Sequence, residues 1–124
     1  MTAAEAVARL DAVMANLWMV RTFLKHAEEI QDDADMLEVP RTVFDYVRAV
    51  EPSRERGDPK EYLHRARAKL AKLRRAAEYF AAEHRRVSDH TNYQMAAASL
   101  SGCVRQIEEI LSRVDKPAEP VQES

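Results

Sequence analysis

Disulfides, tight turns and β-structure have little to work with in this chain. Its 124 residues include one cysteine and two glycines, and aromatic residues make up only 6%. The single cysteine, Cys103, excludes an internal disulfide and fits a reducing compartment. No segment alternates apolar and polar residues with period two, so no strand is expected. Long apolar runs are missing as well. The longest strongly apolar stretch covers residues 17–20, far short of the roughly 20 residues of a membrane span. The first residues lack a basic region followed by an apolar run, so no signal peptide is expected and the expected location is cytoplasmic. The formal charge of −2 gives no global attraction to nucleic acid or to an anionic membrane.

What remains is the composition of a helical protein: 46% hydrophobic and 32% charged. The length suits one domain with its own core, expected over residues 1–115, with residues 116–124 (Lys-Pro-Ala-Glu-Pro-Val-Gln-Glu-Ser) as a flexible tail. Charge is unevenly spread. Residues 1–51 hold 10 acidic and 5 basic side chains, a net of −5. Residues 52–86 hold 5 and 11, a net of +6, and residues 87–124 hold 6 and 3, a net of −3. A basic helix between acidic neighbours is expected to be partly neutralised by them.

Three apolar stripes at alternating steps of three and four define long helices. The first runs through Ala6, Leu10, Val13, Leu17, Val20, Leu24 and Ala27, opened by a Thr2–Glu5 capping box and expected to reach about Met36. Pro40 then reads as the first position of a short second helix carrying Val43, Phe44, Val47 and Val50, with residues 51–58 as a loop. Asp58, Pro59 and Glu61 open a third helix, whose stripe Leu63, Ala66, Leu70, Leu73, Ala77, Phe80, His84 and Val87 is unbroken. A Thr91–Gln94 capping box opens the last, through Tyr93, Ala96, Leu100, Cys103, Ile107, Ile110 and Val114. The expected fold class is all-α, an antiparallel, four-helix-bundle-like arrangement of three long helices plus one short helix. One rod kinked at Pro40 is an alternative for the first two.

Candidate functional residues fall into two groups. An up-down topology brings Glu29, Asp32 and Asp33 together with His84 and His90 at one end, a polar cluster expected to be internally salt-bridged. His84 stands out because it holds a seam position otherwise filled by Leu, Ala and Phe. Self-association is expected through Met14 and Trp18 on the first long helix and Ala98 and Gly102 on the last. Glycine inside a helix costs about 1 kcal/mol against alanine, which close helix approach can offset.

Catalytic sets are incomplete. Glu61-x-x-His64 is the one Glu-x-x-His, it lies off the seam, and the seams carry essentially no carboxylate, so no di-iron metal site is expected. Cys103 sits on an apolar stripe and is expected to be inert. Arg85-Arg-Val-Ser-Asp-His90 resembles the Arg-x4-His pattern of HEPN-domain ribonucleases, small all-helical proteins. The resemblance covers six residues, and it implies a phosphate held by Arg85 and proton transfer by His90. Arg21-Thr-Phe-Leu-Lys-His26 matches the same pattern within the first helix. The leading expectation is a non-enzymatic interaction or assembly module whose partner is itself or another protein, without cofactor or membrane. HEPN-like RNA binding or metal-independent cleavage by Arg85 and His90 comes second, and a metal-binding bundle third.

Overall fold

The computed structural model describes residues 1–115; the expected tail, residues 116–124, lies outside them. Five α-helices and one 3₁₀ turn, and no strand, occur among the described residues. They are α1 (Ala3–His26), the 3₁₀ turn (Glu28–Ile30), α2 (Ala34–Glu55), α3 (Pro59–Ala68), α4 (Leu70–Val87) and α5 (Thr91–Ser112).

Cross-links between helices show how they run. Met1 meets Asp115 while Glu29 meets Tyr93, so α1 and α5 are antiparallel. Asp11 pairs with Arg54 and Trp18 stacks near Phe44, which sets α2 antiparallel to α1. Arg86 reaches Asp33, and Arg74 reaches Glu108, so α4 runs against both α2 and α5. The main neighbours of α1 are α2 and α5, and those of α4 are also α2 and α5. The result is a bundle-like ring of rods with the apolar stripes turned inward. Leu10, Leu17, Leu24, Phe80, Leu73, Leu100 and Ile107 are fully buried in it.

Helix boundaries differ from expectation at five places, four of them for a local reason. Helix α1 stops at His26, where Ala27 takes extended geometry, and the apolar residues that seemed to prolong its stripe divide between two elements. Ile30 is buried from the 3₁₀ turn, and Leu37 belongs to α2. The second helix is not short: Asp33 caps it by accepting the Met36 amide at 3.0 Å, so it starts six residues before Pro40 and spans 22 residues. Pro40 therefore sits in its interior, where it removes an i→i−4 hydrogen bond and its ring crowds the Met36 carbonyl, a cost the packing of α2 has to offset.

The expected loop at residues 51–58 is mostly helix as well. It closes only when Gly57, at φ 66°, allows the Gly57 and Asp58 amides to reach the Arg54 and Ser53 carbonyls at 3.1 and 2.9 Å. Asp58 then caps α3 by accepting the Glu61 amide at 3.1 Å. At the last boundary, Thr91 is not the cap of α5. His90 is, its Nδ1 accepting the Asn92 amide at 3.0 Å.

The third predicted rod is interrupted at Lys69, although its apolar stripe runs on through both halves. Part of the cause comes from α2. The hydroxyl of Tyr46, buried at 1% exposure, donates at 2.8 Å to the carbonyl of Ala66 in the last turn of α3. A helix end leaves such carbonyls without an intrahelical donor, and the hydroxyl supplies one. Tyr62 makes a second buried-ring link, donating at 3.0 Å to Asp11, which in turn holds Arg54 at 3.2 Å. Burial pushes both tyrosine hydroxyls well above the usual phenol range, so they act as donors at any ordinary pH.

Replacing Tyr46 by Phe removes the donor and keeps the ring. The expected loss is about 1–2 kcal/mol in urea unfolding with the native circular dichroism retained; an unchanged midpoint would show that the α3–α4 break does not depend on this bond.

Candidate functional site

The polar end of the bundle forms where α1, the 3₁₀ turn, the start of α2, the end of α4 and the start of α5 converge. The predicted polar residues do not make one cluster there. Glu29 accepts the Tyr93 hydroxyl at 2.7 Å, a bond that lowers the Glu29 pKa. Asp33 does two jobs, capping α2 and holding Arg86 at 2.9 Å. The Met36 amide first, and Arg86 second, keep its carboxylate below the ordinary range. Arg86 also reaches Glu83 and the Tyr79 hydroxyl, so this guanidinium ties α4 to α2. Asp32 is exposed and makes no side-chain hydrogen bond or ion pair among the described residues.

The two histidines are separated in role. His90 is exposed and committed through Nδ1 to the α5 cap. His84 is 6% exposed, its ring 5.7 Å from that of Phe80, and its Nδ1 has no hydrogen-bond partner. Arg85 is exposed and likewise makes no hydrogen bond or ion pair among the described residues. Cys103 is buried at 2%, and burial pushes its thiol pKa up, against a smaller lowering by Ser99. Among the described residues no three His, Cys, Asp or Glu side chains stand where they could share a metal ion. None of their helices is long and apolar enough to cross a membrane. Chemically, this end is a pair of clamps.

The predicted interface residues also divide. Met14 is 5% exposed and belongs to the core. Trp18 is half-buried, its ring 5.7 Å from Phe44 of α2. Ala98 is exposed and Gly102 half-buried on α5. A β-carbon at Gly102 would meet only the Arg105 guanidinium at 3.8 Å, so no close approach within the chain accounts for the glycine.

Around these α5 residues lies the most unusual surface of the molecule. Met19 is 67% and Met95 61% exposed, one on α1 and one on α5. They flank a shallow groove of about 420 Å³ that also takes in Asn16, Phe23, Asn92 and Ser99. Residues 12–20 of α1 and 92–104 of α5 contain no charged side chain, in a chain that is 32% charged. No family model matches the chain, and no match emerged among curated proteins or solved structures.

Sequence reasoning passed over Met19 and Met95 because neither falls on a core stripe, although that is the signal: an apolar side chain at an outward position of a helix. It also missed what surrounds Trp18. Arg21 lies 4.5 Å from the Trp18 ring centroid and 4.9 Å from that of Phe44, and Arg48 lies 5.6 and 5.2 Å from the same two rings.

Two variants test the polar end. The folded chain favours ionised Asp33, so its stabilisation is complete above the ordinary carboxylate pKa of about 4 and is lost as pH falls through the lowered folded value. Asp33→Asn still caps a helix but neither titrates nor pairs as a charge. Its urea midpoint should therefore fall less than the parent's on acidification below about pH 4, and parallel acid limbs would place that loss elsewhere. His84→Leu removes an orphaned ring nitrogen from a seam position and should leave stability unchanged or raise it by about 1 kcal/mol; a clear loss in thermal unfolding would mean that Nδ1 has a partner.

Proposed function

We propose that this chain is a non-enzymatic helical interaction module that associates with a second copy of itself through the outer face of α1 and α5. One observation carries the proposal: two methionines more than half exposed stand opposite each other on an uncharged surface. Contiguous apolar surface on a soluble protein marks a contact site more often than isolated apolar residues do. Methionine is flexible enough to fit a partner surface and is enriched where proteins meet.

Gly102 and Ala98 fit the same face. Glycine inside α5 costs about 1 kcal/mol against alanine, and within the chain a β-carbon there would meet only the end of the flexible Arg105 side chain, at 3.8 Å. A helix from a second copy can approach there and offset that cost. A two-fold arrangement lets Met19 and Met95 of each copy cover the same residues of the other. In this proposal α3 and α4 serve as one bent rod, giving four antiparallel rods in one domain over residues 1–115. The lone cysteine fits action in the cytoplasm.

Light-scattering mass at micromolar concentration is the test, with Met19→Lys/Met95→Lys as the variant. Both positions are exposed, so helicity and unfolding midpoint should hold. The unaltered chain should run as a dimer, and paired lysines should weaken association by at least about tenfold. A monomer without substitutions, or a dimer indifferent to the two lysines, refutes the proposal.

A further inference from the structure

The opposite flank of α1 has a different character. Trp18, Arg21 and Lys25 follow one another at steps of three and four, so they share a face of α1. Leu37, Pro40, Arg41 and Phe44 do the same on antiparallel α2. Beyond the Trp18–Phe44 contact the two faces separate, leaving a groove of about 440 Å³ between Arg21 and Lys25 on one wall and Leu37, Pro40 and Phe44 on the other. That volume is in the range of small-molecule sites.

Its charge is unbalanced. Arg21, Lys25 and Arg41 line it against one carboxylate, Asp45. Arg41 lies 3.7 Å from Glu38, but Arg21 and Lys25 have no ion-pair partner among the described residues. Arg21 is positioned by rings instead, lying over Trp18 and Phe44. A guanidinium fixed by aromatic faces keeps its N–H donors free, and those donors match an oxyanion. Below it Leu37 and Phe44 are half-buried and Pro40 is buried, an apolar floor at the foot of a cationic wall.

From this juxtaposition we infer that the α1/α2 groove binds a small organic anion with a planar apolar body. The anionic group lies against Arg21 and Lys25, and the body lies on Leu37, Pro40 and Phe44. A bare inorganic anion would leave the floor wet, and a neutral aromatic would leave two cations without a partner. Carboxylate, sulfonate and phosphate esters share the required chemistry. Asp45 opposes the ligand's charge and sets a limit on affinity.

Trp18 is the chain's one tryptophan and lies beside the groove, so it reports occupancy directly. Titration with anilinonaphthalene sulfonate under selective Trp18 excitation should give saturable energy transfer, retained in Met19→Lys/Met95→Lys. Arg21→Gln/Lys25→Gln should weaken binding by at least about tenfold, and Asp45→Asn should tighten it. Naphthoate and a nucleoside monophosphate serve as competitors that separate carboxylate from phosphate ester, with inorganic phosphate as the charge-only control. Displacement by either aromatic anion but not by inorganic phosphate supports the site. No saturable transfer, affinity unchanged in both charge variants, or inorganic phosphate displacing the probe as well as naphthoate does overturns it.

Discussion

The burial of one apolar stripe per rod in a common interior is the constraint that the other features of this molecule obey. It fixes which side chains face outward and obliges every polar group left on the seam to find a partner. Tyr46 meets that obligation by bonding Ala66 at the α3–α4 break, and Tyr62 meets it through Asp11 and Arg54. Each bond joins two different helices, α2 to α3 and α3 to α1, so they fix how the rods lie against one another as well as satisfying a hydroxyl. His84 does not meet it at Nδ1, and the molecule carries that cost at the end where its clamps are most numerous. Exposed ion pairs such as Arg74–Glu108 add little to stability by themselves, since water already solvates their charges, yet they mark which helices are neighbours.

Because α1 lies between α2 and α5, it presents two outward flanks, and their chemistry differs. Toward α5 the flank is neutral, with small residues and exposed methionines. Toward α2 it carries arginine and lysine over aromatic and aliphatic side chains. Surfaces of these two kinds suit different occupants, another helical surface in the first case and a compact anion in the second. Neither occupant needs a catalytic group. The two proposed sites share α1 as a wall.

Much of the architecture was legible because helix periodicity is a strong signal. Every residue of the first stripe, from Ala6 to Ala27, is buried, and the caps at Thr2 and Asp58 form as their spacing implies. Boundaries were less legible where two signals competed. The apolar spacing through Ile30 and Leu37 mimicked a continuing helix and concealed the Asp33 cap, while Pro40 looked like a start because a helix interior disfavours proline. The break at Lys69 has no local cue, since it involves a tyrosine 20 residues away. Among candidate site residues, the partners of the polar ones depend on tertiary geometry: Tyr93 and Arg86 are the groups that engage Glu29 and Asp33. The pile of Arg21 and Arg48 over Trp18 and Phe44 was invisible for the same reason, because it needs two helices in register.

In the proposed dimer the neutral α1/α5 flank of one copy is covered by that of a second. Methionine methyl resonances followed on dilution test it residue by residue, since the chain has five methionines and they occupy distinct environments. Met19 and Met95 should shift together with a single concentration dependence, while buried Met14 and Met36 stay fixed. Methyl positions that do not change with concentration, or movement at Met14 and Met36 without Met19 and Met95, would contradict the account.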